Sequence, residues 1–182
     1  MALRKGSAYS KRYARPYTRV SKKRTKSYIK AVPNSRIVKF KMGDQKGYDN
    51  GEYPVQLHMI SKENCQIRDN SIEAIRQYLN RFLQIKVGKE FYLEVKPFPH
   101  HILRENKMLT GAGADRMQTG MSRAFGKTMG RAALIKPNQI LYIVAVKNPK
   151  AEIIARKLIK SIKARIACKT SIVNIMPPIQ DK

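Results

Sequence analysis

A glycine-rich basic stretch, residues 97–131, constrains the fold of this chain more than any other segment. It holds five of the chain's ten glycines. Between residues 101 and 131 the apolar side chains follow neither the helical nor the strand period, so this stretch cannot bury much of itself. Six basic side chains face two acidic ones in the same interval. We therefore predict a long internal loop, about residues 100–131, that is ordered by an anionic partner.

The net charge of the chain is strongly positive, because 38 Lys and Arg stand against 12 Asp and Glu and give +26. Charge of this size repels itself and favours a polyanionic partner. It is uneven: residues 1–30 carry eleven basic groups and no acid, whereas residues 31–96 carry eleven and eight. Residues 97–136 carry seven basic and two acidic groups, and residues 137–182 carry nine basic and two acidic groups. This distribution predicts a near-neutral globular body with basic material added at the start, the loop and the end.

The first segment, residues 1–34, is predicted to be a basic arm. A block of like charge with few apolar residues is typical of a segment that is disordered alone and folds on a partner. Tyr9, Tyr13, Tyr17 and Tyr28 are interleaved with its arginines and lysines. Guanidinium groups bind phosphate and tyrosine rings stack on unpaired bases. We therefore favour nucleic-acid binding over a solvated tail or a nuclear-import-like patch in KKRTK.

The remainder, residues 35–177, is predicted to be a single α+β RNA-binding domain, followed by a short tail at 178–182. Apolar patterns predict strands at 38–42, 55–59, 91–95, 133–135, 140–146 and 171–176. Apolar residues three and four apart predict one helix between residues 69–71 and Gly88 and a second that begins at Asn148-Pro149. The order gives two strand-strand-helix-strand halves, with two helices on a mainly antiparallel sheet.

An enzymatic interpretation is the alternative. The segment that begins at Gly120 and ends at Thr128 resembles a phosphate-binding P-loop, which would make the chain an NTP-dependent enzyme acting on RNA. Five residues separate its two glycines, one more than the motif allows. The apolar run 140–146 leads into Lys147 rather than an aspartate that could hold magnesium. Gly111 and Gly113 lack the third glycine and the preceding strand of a dinucleotide site. We therefore predict that the chain is not an enzyme.

Metal and thiol chemistry have little support. The His100-His101 pair has no cysteine or carboxylate at ligand spacing, and the lone His58 is interpreted as a surface or hydrogen-bonded residue. Cys65 and Cys168 lie about a hundred residues apart and are interpreted as buried or incidental thiols in a reducing compartment. The longest apolar run is too short to cross a membrane, and the start lacks the pattern of a secretory signal. We predict no cofactor, no metal and no small-molecule substrate.

Four motifs identify a family. They are residues 15–19 (RPYTR), 67–83 (IRDNSIEAIRQYLNRFL), 101–106 (HILREN) and above all 114–127 (ADRMQTGMSRAFGK). With them the chain resembles the universal large-subunit ribosomal protein family called L-sixteen in bacteria and L-ten-e in archaea and eukaryotes, closest to the archaeal type. The resemblance covers nearly the whole chain. Its last motif is long and unusual in composition, which makes chance similarity a poor explanation.

The resemblance implies an α/β hammerhead-like fold and a structural role in the large subunit of the cytoplasmic ribosome, beside other large-subunit proteins. Family members bind large-subunit rRNA near the aminoacyl-tRNA site, contact or lie near the tRNA elbow, and join the subunit late. Their glycine-rich loop, matched here by residues 104–116, reaches toward the peptidyl transferase centre. Two departures matter. Thr128 follows Lys127 where many relatives have proline, which loosens the turn expected there, and residues 5–26 are richer in lysine than in relatives.

The charge pattern and the resemblance together predict the residues that bind RNA, which are the basic residues and one tyrosine of the arm and the loop. They are Arg4, Arg12, Arg15, Tyr17, Arg19, Lys22, Lys23, Arg24, Arg104, Lys107, Arg116, Arg123, Lys127 and Arg131. A basic DNA-compacting protein is a further alternative. Preference for duplex DNA over folded ribosomal RNA at matched salt would support it.

Overall fold

A computed structural model describes residues 29–105 and 126–175 of the chain. The strands are β1 (Lys41–Gly43), β2 (Val55–Ser61), β3 (Cys65–Arg68), β4 (Phe91–Val95), β5 (His101–Glu105), β6 (Lys127–Ile135), β7 (Ile140–Val146) and β8 (Thr170–Ile175). The helices are α1 (Gln45–Asp49), α2 (Asp69–Lys86) and α3 (Pro149–Ile162), and a short 3-10 helix, Lys163–Arg165, follows α3.

The strands form two sheets, and every strand pair in the described residues is antiparallel. One sheet has five strands in the order β1-β4-β7-β2-β8, and the other has three in the order β3-β6-β5. The predicted α+β class with mainly antiparallel sheet is confirmed. Because β7 lies between β4 and β2, strands from the two predicted halves of the chain share one sheet, with a second-half strand inserted between two first-half strands. The division into an arm, a domain and a tail stays a prediction.

The core lies between the five-stranded sheet and the two long helices. β7 is apolar throughout and its residues from Leu141 to Val146 are buried, as expected of a central strand covered on both faces. α2 buries Ile72, Ile75, Leu79 and Leu83, and α3 buries Ala151, Ala155, Leu158, Ile159 and Ile162. Both sets recur at the three- and four-residue spacing that places side chains on one face of a helix. The sequence pattern therefore predicted both helices correctly.

The predicted loop over residues 100–131 is wrong at both ends. Residues 101–105 form β5 and residues 127–131 form the first half of β6, and the two strands pair, with Glu105 opposite Lys127. The connecting segment is therefore residues 106–126. Residues 127–131 pair with β5 and residues 132–135 pair with β3. None of residues 127–131 is buried, so this half of β6 shows no alternation of apolar and polar residues. Thr128 lies in this strand rather than in the turn that we expected.

Shorter elements also differ from prediction. β3 and α1 were not predicted, because four- and five-residue elements are too short to show a period. β1 begins at Lys41 rather than residue 38, since the backbone N–H groups of residues 36 and 38 bond to side chains of α2 and pairing with β4 starts only at the carbonyl of Phe40. Arg36 N donates to Asp69 Oδ2 at 3.2 Å and Val38 N donates to Glu73 Oε2 at 3.3 Å. Asp69 is thus the first residue of α2, and its side chain also holds the backbone of the segment that leads into β1.

Gly43, at the end of β1, is a position where an added methyl group has no room. Its φ is +87°, and a Cβ there would collide with the backbone carbonyl of Phe91 on β4. Gly88 has the same φ of +87° with nothing within 4 Å of the corresponding position. We expect Gly88→Ala to cost about 1–2 kcal/mol of unfolding free energy from backbone strain alone. We expect Gly43→Ala to cost about 3 kcal/mol or more, because the collision adds to that strain. Equal losses in urea denaturation would contradict this account of Gly43.

Candidate nucleic-acid interface

The positive charge of the described residues is concentrated in the second part of the chain. Residues 29–105 carry thirteen Lys and Arg and nine Asp and Glu, whereas residues 126–175 carry eleven and one. The one acid is Glu152, and Arg156 Nη2 forms an ion pair with its Oε1 at 2.8 Å. Within residues 29–105 and 126–175, the excess of positive charge that would attract a polyanion therefore lies mainly on β6, α3 and the residues that follow α3.

One face of α3 is basic, and we call it the α3 basic face. The helix begins at Pro149, directly after Asn148 as predicted, although Asn148 makes no side-chain capping bond. Its buried apolar residues face the sheet, whereas Ile153 and the charged positions are directed outward. The α3 basic face consists of Lys150, Arg156, Lys157, Lys160 and Lys163. All four lysines are exposed and Arg156 is half-buried.

Aromatic rings from α2 lie next to this helix and hold further cations. The guanidinium carbon of Arg165 lies 4.5 Å from the centre of the Tyr78 ring, and Lys86 Nζ lies 5.9 Å from the centre of the Phe82 ring. The two rings contact each other, with centres 4.5 Å apart. A cation over a ring is held in position while it keeps its charge. The rings thus restrict Arg165 to the surface between α2 and α3.

Three of the predicted RNA-binding residues lie in the described part of the chain, on the β5–β6 pair. Lys127 is exposed and stands opposite Glu105, and Arg104 stands opposite Thr128. Arg131 is half-buried and its Nε donates to the carbonyl oxygen of Pro33 at 2.5 Å, so it anchors the incoming chain to β6. The other predicted residues lie outside the described residues: Arg4, Arg12, Arg15, Tyr17, Arg19, Lys22, Lys23, Arg24, Lys107, Arg116 and Arg123.

The P-loop interpretation does not fit the structure. A P-loop requires a helix directly after its lysine, so that the first helical amides surround the phosphate. Here Lys127 and Thr128 begin β6. Among residues 29–105 and 126–175 no group of three or more His, Cys, Asp or Glu could hold a metal ion. In the same residues no helix is both long enough and apolar enough to span a membrane.

One pair of charged residues, Arg76 and Glu73, lies inside the folded body. Arg76 Nη2 and Nε donate to the Glu73 carboxylate at 2.6 and 2.7 Å, and both residues are buried. Gln77 Nε2 donates to the same carboxylate at 3.0 Å. The hydrogen bond from Arg76 is the main reason that the pKa of Glu73 is lowered, and the same bond raises the pKa of Arg76. This pair is charged but neutral as a unit, so it stabilises the fold rather than attracting a partner.

His58 and the two cysteines are buried in the described body. His58 is 7% exposed, its Nε2 lies 3.4 Å from Gln56 Oε1, and burial lowers its pKa, so the ring is neutral near pH 7. Of the two interpretations of His58, the surface one is wrong, and the hydrogen-bonded one holds for Nε2 only, since Nδ1 is buried without a partner among the described residues. Cys65 and Cys168 are also buried, as predicted, but the fold brings them into contact. Their mutual hydrogen bond, followed by burial, raises the pKa of Cys65. Because the two cysteines lie far apart in the sequence, no local pattern predicts this contact.

The fold and the charge define a class: a small α+β protein whose exposed basic surfaces match a polyanion. The family follows from comparison with known proteins. Residues 15–173 match the family model described as ribosomal protein L16p/L10e, and the chain belongs to this family. The resemblance seen in the four motifs is thereby confirmed. Because this is a family of ribosomal proteins, the prediction of a structural protein rather than an enzyme is confirmed as well.

The relatives are archaeal and match over most of their length. A large ribosomal subunit protein uL16 from Archaeoglobus fulgidus is 40% identical over 171 residues, which cover 93% of this chain and 92% of that protein. The uL16 of Methanococcus maripaludis strain C7 is 37% identical over 184 residues and covers all of both chains. The uL16 of Methanoculleus marisnigri is 45% identical over 134 residues, 72% of this chain and 76% of that protein. The expected archaeal type is confirmed.

Proposed function

We propose that this chain is a structural constituent of the large subunit of the cytoplasmic ribosome, where it binds large-subunit rRNA near the aminoacyl-tRNA site and helps to position tRNA. The observation that carries the proposal is the family match over residues 15–173. The relatives are named as large ribosomal subunit proteins, which supports rRNA and neighbouring large-subunit proteins as partners. The charge of +26 supports a polyanionic host.

The physical basis of the proposed binding is the release of counterions. Each lysine or arginine that neutralises a phosphate releases condensed cations, so the affinity falls steeply as salt rises. The α3 basic face presents four exposed lysines, three on α3 and Lys163 at the start of the 3-10 helix. Lys127 adds a charge at the base of segment 106–126. A folded RNA is recognised largely by its shape, its phosphates and its exposed bases. The body therefore needs no pocket that reads base sequence.

The segment between β5 and β6 is proposed to extend toward the peptidyl transferase centre. Glu105 and Lys127 are register partners, so the segment leaves and re-enters the body at one place. With roughly 10 residues out and 10 back, at about 3.3 Å each, its greatest reach is about 33 Å. This is shorter than a loop over residues 100–131 would allow, because β5 and β6 use both ends of that stretch. The reach is still sufficient to enter a neighbouring centre from the subunit surface.

Sedimentation of the native protein from a cell lysate tests the proposed location. We expect the protein to migrate with the large subunit at low salt and to dissociate progressively at high salt, since its affinity is electrostatic. Free migration at both salt concentrations would refute the proposal. Migration with DNA instead would favour the basic DNA-compacting protein. Equilibrium dialysis with ATP and GTP completes the test, and we expect no saturable binding of either nucleotide.

Replacing Arg116, Arg123 and Lys127 with alanine tests the role of the segment between the strands. We expect weaker incorporation into the subunit or slower tRNA accommodation, while the circular dichroism and thermal transition of the isolated protein stay unchanged. A matched control replaces Lys46, Lys62 and Lys89, three exposed lysines of the near-neutral part of the body. Assembly and translation at wild-type rates by the first variant would contradict the assignment.

A further inference from the structure

Cys65 and Cys168 form a pair of buried thiols where the two sheets meet. Cys65 is the first residue of β3, in the three-stranded sheet, and Cys168 lies two residues before β8, at the edge of the five-stranded sheet. The two residues are 7% and 8% exposed. Neither thiol belongs to the basic surfaces described above, so the pair needs an explanation of its own.

The backbone of the turn between β2 and β3 holds the two cysteines near each other. β2 and β8 are paired up to the last residue of β2, and the pairing continues beyond it, because Lys62 N donates to the carbonyl oxygen of Lys169 at 2.9 Å. Lys169 N in turn donates to Glu63 Oε1 at 2.6 Å. The segment that contains Cys168 is therefore fixed beside the turn that leads into Cys65.

The side chains around the pair favour one of the two thiols as a nucleophile. The thiols are hydrogen-bonded to each other, and Ser61 Oγ lies 3.6 Å from Cys168 Sγ. The hydrogen bond from Cys65 is the main reason that the pKa of Cys168 is lowered, and the same bond raises the pKa of Cys65. Because the thiolate is the reactive form of cysteine, Cys168 is the nucleophile and Cys65 is the thiol held beside it.

A surface cavity of about 280 Å³ opens next to the pair. It is lined on one side by residues 66–68 of β3 and on the other by residues 164–167. Cys65 and Cys168 are the next residues along these two lining segments. The cavity therefore brings water, and any small neutral oxidant dissolved in it, to within one residue of both thiols.

We propose that Cys65 and Cys168 form a reversible intramolecular disulfide when hydrogen peroxide oxidises the protein. The Cys168 thiolate attacks one peroxide oxygen, the O–O bond breaks, and the released hydroxide takes up a proton to become water. The sulfur of Cys65 then attacks the sulfenic acid at Cys168, so that the S–S bond forms and the S–O bond breaks. The hydroxyl group leaves as water with the proton of the Cys65 thiol. Two thiols are oxidised by two electrons, and one peroxide is reduced to two molecules of water.

The proposed disulfide joins elements that belong to different sheets. Because the two thiols are already hydrogen-bonded, bond formation requires movement of the side chains rather than rearrangement of the paired strands. The bond closes a loop of about a hundred residues, which restricts the unfolded chain and stabilises the folded one. A dithiol reverses the modification by exchange. This inference goes beyond the proposed function and does not depend on RNA binding.

Oxidation of the full-length protein with hydrogen peroxide tests the proposal. We expect the two free thiols, counted after denaturation, to be lost and to return after treatment with dithiothreitol. Proteolysis without reduction, followed by mass spectrometry, should yield the peptide that contains Cys65 joined to the peptide that contains Cys168. Covalent dimers in place of this cross-linked peptide would refute the proposal, and so would two thiols that survive a peroxide dose sufficient to oxidise the methionines.

The variant Cys65→Ser tests the order of the two steps and controls for other oxidation. Without the second thiol the reaction should stop at a sulfenic acid on Cys168, which dimedone traps. The melting temperature of the oxidised wild type should rise by about 5 °C or more, whereas the variant treated in the same way should show no rise. An equal rise in the variant, or no trapped product at Cys168, would contradict the proposal. The peptide map of the wild type needs no variant, so the test stands if Cys65→Ser fails to fold.

Discussion

Replacement of Arg76 by alanine is expected to lower the free energy of unfolding by about 3–5 kcal/mol, the loss typical of a broken buried ion pair. Arg76 is the buried partner of Glu73, and its Nη1 also contacts Met42 Sδ at 2.9 Å. Without it the Glu73 carboxylate remains buried and keeps only the weaker donors Gln77 and Val38. Urea denaturation of the isolated protein measures the change.

Two further variants control for the ion-pair interpretation. Arg81→Ala removes an exposed arginine of the same helix and should change the stability by no more than about 0.5 kcal/mol. The double variant with Glu73→Leu and Arg76→Met replaces both charges with apolar groups of similar volume and should recover most of the loss. A double variant as unstable as Arg76→Ala would show that packing around Arg76, rather than the unpaired carboxylate, causes the loss.

The pH dependence follows from the same pair. The pKa of Glu73 in the folded protein lies below its ordinary value of 4.5, so the carboxylate contributes stability that is present above that value and is lost as the pH falls through the folded pKa. In the Arg76→Ala variant burial raises the pKa of Glu73 instead. The difference in stability between wild type and variant should therefore begin to narrow above pH 4.5, as the pH falls through the raised pKa of Glu73 in the variant, and should go on narrowing down to the lowered pKa of Glu73 in the wild type. A difference that is constant with pH would contradict the assignment.

Replacement of Lys150, Lys157, Lys160 and Lys163 by glutamine is expected to weaken binding to folded large-subunit rRNA roughly a hundredfold or more. If each of these lysines neutralises one phosphate, the salt slope falls by about 3, because every contact contributes roughly 0.7–0.9. The apolar face of α3 is untouched, so the thermal transition should shift little. Filter binding over a salt series measures both quantities.

The matched control for the α3 basic face replaces Lys39, Lys46, Lys62 and Lys89 with glutamine. These four lysines are exposed and lie in the near-neutral part of the described chain. The control loses the same net charge, so it reports how much of the effect is due to the long-range field of the protein. If the two variants lose affinity and salt slope equally, α3 is not a contact surface and charge alone explains the binding.

Local patterns predicted the elements that bury a continuous or periodic apolar face. The run at 140–146 is β7 to the residue, and the spacing after residue 71 predicted α2 up to its end before Gly88. The apolar run of β7 and the apolar spacing of α2 each involve residues close together in the sequence, so their burial is visible as a local pattern of apolar residues. The same patterns missed the first half of β6, which pairs with β5 alone and has no buried residue, so burial leaves no period there.

Some features of the candidate site could likewise be predicted from the sequence, and others could not. The glycines and charges of the stretch at 97–131, together with its motif, predicted an RNA-facing segment and a family that the comparisons confirmed. Local composition was sufficient there, because net charge and motif are properties of the chain itself. Charge counting could also have found the α3 basic face, whose lysines recur at helical spacing.

Only the tertiary structure brought Arg36, Arg68 and Arg165 to two adjoining surface cavities, and only it placed Cys65 against Cys168. The groups of each set are separated by some 30 to 100 residues, and no local rule relates them. Their meeting depends on how β3, α2 and the 3-10 helix pack around a shared core. Packing of that kind is decided by the apolar faces of the elements, whereas the polar residues that it gathers leave no pattern in the sequence.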